Sequence, residues 1–176
     1  MNLLDKENRK RDEFLSTCLV KNLAFYAYSL PETSSIKFGV QINDLPQSYR
    51  KLSNLKGKEG FVFAPFDQKG KHESYFIRKD FDEIDLQDQD LNLEEIEDFK
   101  AEDDNTIHES TRKEYSQQMD ILLSQLNQKE LDKVILSRIH ILNQMGREKA
   151  LTYFLKLIDA YPNAFVFMVD IPKIGL

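Results

Sequence analysis

The sequence predicts an α+β fold, and three observations carry that expectation. Short runs of aromatic and β-branched residues, separated by Pro, Gly, Asn and Asp, occupy residues 23–79. Helical spacing takes over after residue 110. Hydrophobic residues make up 41% of the 176, enough for one well-buried core rather than two, so the chain reads as one domain or part of one.

In chain order, Glu7 to Val20 can form a short leading helix. The segments Phe25–Ser29, Ile36–Ile42, Phe61–Phe66 and Ser74–Ile77 then read as strands of a small antiparallel sheet. Lys56–Gly60 and Asp67–Gly70 are the turns that bracket the third of them. From Asp80 to Glu109 fourteen Asp or Glu stand against one basic residue, Lys100, whereas the rest of the chain holds sixteen acids and twenty-three bases. Such a run repels itself, and 80–110 is expected to be a solvated linker or loop, with a divalent-metal or basic-partner site as the alternative. Leu86, Leu91, Leu93, Ile96 and Phe99 can pin parts of it to a core. The crowded carboxylates lack the spaced Gly and Asn of a calcium loop.

Beyond the acidic run, Tyr115, Met119, Leu122, Leu123 and Leu126 fall on one face of a helix over Thr111–Asn127. Lys133 to Leu142 is nearly continuous in β-formers and reads as a strand apolar on both faces. After Gly146, the residues Ala150, Leu151, Phe154, Leu155 and Ile158 define a second amphipathic helix, which Tyr161-Pro162-Asn163 ends. Ala164 to Ile171 is a further buried strand, and Ile174-Gly175-Leu176 reads as the opening of another whose remainder lies outside these residues. The chain is therefore expected to be a piece of a longer one. The expected organisation is a strand-rich part over 1–79, an acidic linker or loop over 80–110, and a helix-strand-helix-strand part over 111–176.

Composition excludes some classes of function. Charged residues make up 31% and the net charge is -6, so the chain is expected to be soluble and no basic footprint for nucleic acid is present. The single Cys18 can close no disulfide within the chain and has no partner for a structural zinc, which favours a reducing compartment. Met1 to Glu13 is dense in charge and no apolar run follows, so neither a signal peptide nor a membrane span is expected, and the location read from sequence is cytoplasmic.

Few residues offer chemistry. His72, His108 and His140 lie far apart without metal-ligand spacing. Asp132, Ser137 and His140 carry the letters of a hydrolase triad, but in a strand Ser137 points away from the other two. Among six glycines there is no phosphate-binding loop. Lys133 opens the apolar strand on the face of Ile135, Ser137, Ile139 and Ile141, where partial desolvation would lower its pKa and fit it for base work. The alternative from periodicity is a lysine that snorkels its charge to solvent.

Lys133-Val134-Ile135-Leu136-Ser137-Arg138, after a helix and a short polar turn, resembles the Lys-Val-Val-Leu-Ser/Ala-Arg segment of isochorismate synthases, members of the chorismate-utilising enzymes. Ala150 to Leu155, followed by Tyr161-Pro162-Asn163-Ala164-Phe165-Val166-Phe167, is similar to the family's helix, Tyr-Pro turn and aromatic strand. Gly60 to Phe66 resembles a strand of its N-terminal half. The matches span residues 60–176 and are strongest from Glu114 onward.

The resemblance implies the N-terminal part of a large fold of antiparallel sheets with helices packed outside. It implies that Lys133 activates the water that attacks C2 of chorismate while a glutamate acid helps the C4 hydroxyl leave. Ser137 and Arg138 of the same segment are read as structural, with Ser137, on the Lys133 face, as the candidate to line the substrate pocket. Mg2+ would bridge the substrate carboxylate to glutamates late in the family's chain. The Gly-Ala-Thr/Ser-Pro-Glu segment expected after Leu176, the acid, the metal ligands and the carboxylate-binding loop have no counterpart here, so the expectation is an inactive fragment with no metal ligands of its own. A lysine rather than glutamine at 133 favours the water-using branch over anthranilate and aminodeoxychorismate synthases. Salicylate synthases share the lysine, and menaquinone and siderophore pathways are not separated by these residues. The reading from another class is a non-enzymatic α+β interaction module. Unpaired sheet edges would invite another copy of the chain to associate.

Overall fold

Ala24–Ser29 (β1) alternates in a way that commits both of its faces. Phe25 and Ala27 point to one side, Ala24, Tyr26 and Tyr28 to the other, and all but half-buried Tyr28 are buried. Around this strand the protein is α+β with antiparallel sheets. The computed structural model describes residues 3–33, 35–66, 73–88, 109–138 and 146–176. These fall into two compact units, one drawn from Met1–Asp103 and Met145–Leu176, the other from Asp104–Gln144.

In the first unit β1 lies between Ile36–Gln41 (β2) and Val166–Asp170 (β7), and Phe81–Asp82 (β6) pairs with β2, so the sheet order is β6-β2-β1-β7. Every pairing is antiparallel, from Ala24↔Gln41 to Ser29↔Ile36 on one side of β1 and from Phe25↔Asp170 to Ser29↔Val166 on the other. A second sheet, ordered β3-β5-β4, joins Gln47–Tyr49 (β3), Ser74–Arg78 (β5) and Gly60–Phe63 (β4).

One face of the first sheet packs on helices. Leu3–Val20 (α1) supplies Phe14, Leu15, Cys18 and Leu19, spaced to form one stripe, and Ala150–Ala160 (α4) supplies Leu151 and Phe154. They meet Phe25, Ala27, Phe38, Val40, Val166 and Met168, and each large apolar side chain fully buried here contributes about 1.5–3 kcal/mol. The opposite face buries Ala24, Tyr26 and Ile171 with Ile77 of β5, and the Tyr26 ring stacks on Phe61 at 4.9 Å. Tyr26 also lies over Gly39, its partner on β2, where any Cβ would run into the ring. α1 ends in a Schellman arrangement: Asn22 takes a φ of 56°, and Leu23 N–H donates to the Cys18 carbonyl at 3.0 Å.

The sequence and the structure differ in three places. Residues 23–79 build strands of two sheets rather than one, and β7 from the C-terminal third completes the first of them. The opening of the acidic stretch is not linker: β6 and Glu83–Asp88 (α2) occupy it, Phe81 is buried in the core, and Leu86 pins the stretch there as its apolar character allowed. The strand expected over 133–142 is absent over 133–138, which has no regular structure, and the remaining residues of that expectation lie outside the described ones. The described part of the second unit contains one helix, Arg112–Asn127 (α3), and no strand, so nothing in it offers a ladder to those apolar residues. The turn at Asp67–Gly70 and most of the acidic run also fall outside the described residues.

Candidate functional site

Lys133 follows α3 through a turn in which Lys129 has a φ of 58° and Glu130 N–H donates to the Gln125 carbonyl at 3.0 Å. Its side chain is exposed, as are those of Ser137 and Arg138. Val134 and Leu136 are half-buried, while Ile135 is 80% exposed. The alternation expected of a strand is therefore inverted: the Lys133, Ile135 and Ser137 face is the solvated one. The expected desolvation of Lys133 is not found among the described residues. His72, His108 and His140 lie outside them, and no described group of three His, Cys, Asp or Glu is placed to hold a metal ion. No described helix is long and apolar enough to cross a membrane.

Two polar clusters of the first unit went unpredicted. At the rim of the two sheets, Arg78 donates to Asp44 at 2.7 and 3.1 Å and to Asp80 at 2.9 Å, and its hydrogen bonds hold both carboxyls below the usual range. Buried Gln41 knits this cluster to the sheets, donating to Asp44 Oδ1 at 2.8 Å and accepting from Arg78 N–H at 2.9 Å. The guanidinium is thus spent on its own chain's carboxylates. Beside it a cleft of about 370 Å³ is floored by Phe76 and edged by Tyr49 and Lys58. Lys58 donates to the Tyr49 hydroxyl at 3.0 Å and lies 5.0 Å from the ring centre, so its charge is also partly occupied.

The second cluster lies in the core. Asp170 of β7 is fully buried and accepts from Arg147, which stands in the 3-10 turn Arg147–Lys149 ahead of α4. The sequence carried a signal for it. Period two along Val166-Phe167-Met168-Val169-Asp170 sets Asp170 on the side of Val166 and Met168, and a carboxylate on a core face requires a counter-charge.

Compared with family models, with curated proteins and with solved structures, the chain finds no match in any of the three.

Proposed function

We propose that this chain is the N-terminal portion of an isochorismate synthase, a cytoplasmic chorismate-utilising enzyme that adds water at C2 of chorismate and expels the C4 hydroxyl, in menaquinone or siderophore biosynthesis. One observation carries the reading: the ordered series of helix, polar turn, Lys133-Val134-Ile135-Leu136-Ser137-Arg138, helix, Tyr161-Pro162-Asn163 turn and aromatic strand. α3, α4 and β7 supply the helices and the strand in that order. In this reading Lys133 is the base that activates water and Ser137 lines the pocket. A lysine acts as a base only where bulk water is kept from its amine. Lys133 is exposed among the described residues, so the reading requires further protein or bound substrate to cover it. The described residues offer no set fit to hold Mg2+, which enters only through the resemblance. With the general acid also lacking a counterpart, the 176 residues alone are expected to be inactive.

The test uses the whole reading frame that contains these residues, purified and given chorismate and Mg2+. Isochorismate is the expected product. Lys133→Ala is expected to lower kcat roughly a hundredfold or more while chorismate still binds. Undiminished turnover in that variant removes Lys133 from the mechanism. A well-folded protein that ignores chorismate replaces the reading with the α+β interaction module, which the exposure of Lys133 favours.

A further inference from the structure

The Asp170 carboxyl is completely buried. Its Oδ2 accepts from Arg147 Nη2, whereas Oδ1 has no hydrogen-bond partner among the described residues. Arg147 also donates from Nη2 to Asn22 Oδ1 at 2.6 Å and from Nε to the Leu19 carbonyl at 3.2 Å. One guanidinium therefore ties the turn before α4 to the end of α1 and to β7. A buried carboxylate with one oxygen unsatisfied is costly, and the arginine is what offsets that cost.

We propose that Asp170 and Arg147 form a proton-operated latch: the ionised carboxylate holds the Arg147–Lys149 turn against the C-terminal end of α1, and protonation releases that turn while the sheet stays intact. A neutral carboxyl still accepts a hydrogen bond but loses the charge that makes this one strong. The Arg147 side chain is 36% exposed, so water is at hand to receive it. Burial, opposed by Arg147, pushes the Asp170 carboxyl up to about 6, within reach of mild acidification. Among the described residues the further titratable group acting here is Cys18 of α1, whose thiol is pushed up by burial and by the Asp170 charge and so stays neutral throughout. β1 sets Phe25 opposite Asp170 and brings no charge.

Amide hydrogen exchange over 148–152, corrected for the intrinsic effect of pH, tests the latch on the full chain. From about pH 8 to about pH 5 the opening constant of these amides is expected to rise on the order of tenfold, while that of the β1 amides does not rise. Asp170→Asn, neutral at either pH, is expected to exchange fast at both, as is Arg147→Met. Equal protection of the native chain at the two pH values overturns the latch, whether or not either variant folds. An Asp170→Asn chain that keeps the native pH dependence overturns it as well.

Discussion

β1 and the segment Lys133–Arg138 make similar claims on paper, Ala-Phe-Tyr-Ala-Tyr-Ser against Lys-Val-Ile-Leu-Ser-Arg, and they end in opposite environments. β1 has a strand on each side and cover on both faces. Among the described residues of their unit, 133–138 have no ladder partner, and none of their side chains is buried. The difference teaches that β-propensity describes a fit to a half-built sheet, not an intrinsic preference. Three aromatic residues in β1 meet partners from α1, β2, β4 and β7, whereas the branched residues after Lys133 meet no described strand that would hold them extended.

The sharpest test of this contrast is a pair of alanine substitutions read by urea unfolding. Phe25→Ala empties a fully buried site and is expected to cost about 3–5 kcal/mol. Ile135→Ala removes a side chain that is 80% exposed and is expected to change stability by less than about 0.5 kcal/mol. Comparable losses at the two sites would mean that 133–138 is packed in the folded protein, and the contrast would fall.

Next in size is a pH effect whose source is the one buried carboxyl of β7, Asp170. Asp170 sits at about 6 in the fold, above the roughly 3.9 of an unfolded aspartate, so the folded state holds its proton more tightly. The resulting stability is fully present below about pH 4 and is lost as pH rises through 6, a difference of roughly 3 kcal/mol at most. Relative to Asp170→Asn, the native chain should gain stability as pH falls from about 7.5 to 4.5. The direction is opposite to that of the latch, which loosens over the same range, so global unfolding and local exchange must part company. Parallel stability curves for the two proteins would remove Asp170 as the titrating group.

Much of the first unit was legible because its signals are local. Runs of aromatic and β-branched residues between turn formers marked β1, β2 and β5, a buried apolar run marked β7, and helical spacing with a Tyr-Pro stop marked α4. What escaped were decisions made at long range: that β7 would pair with β1 across more than a hundred residues, and that β4 and β5 would build a second sheet apart from β1 and β2. Leu86 is buried as the apolar residues within the acidic run allowed, whereas nothing in the sequence marked Phe81, which β2 and α1 turn into core. The candidate site was less legible. Lys133 stands out through the family resemblance together with a strand that would desolvate it, and without the strand only the resemblance supports it, its exposure matching the snorkelling alternative. Asp170 is legible from period two but offers no motif that marks it.

α3 gives the smallest and most local prediction. Thr111-Arg112-Lys113-Glu114 is a capping box on sequence, and both of its hydrogen bonds form: Glu114 N–H donates to Thr111 Oγ1 at 3.2 Å, and Thr111 N–H donates to Glu114 Oε2 at 2.8 Å. No residue of α3 is buried, whereas α1 lays four large or sulfur-bearing side chains into the core. A helix of this length with no side chain fully buried is marginal in water, so its cap carries an unusual share of its stability. Thr111→Ala is expected to cost about 1 kcal/mol, read as roughly fivefold faster amide exchange at 113–116 with the β1 amides unchanged. Unaltered exchange there would mean that α3 is held by packing against something other than the described residues.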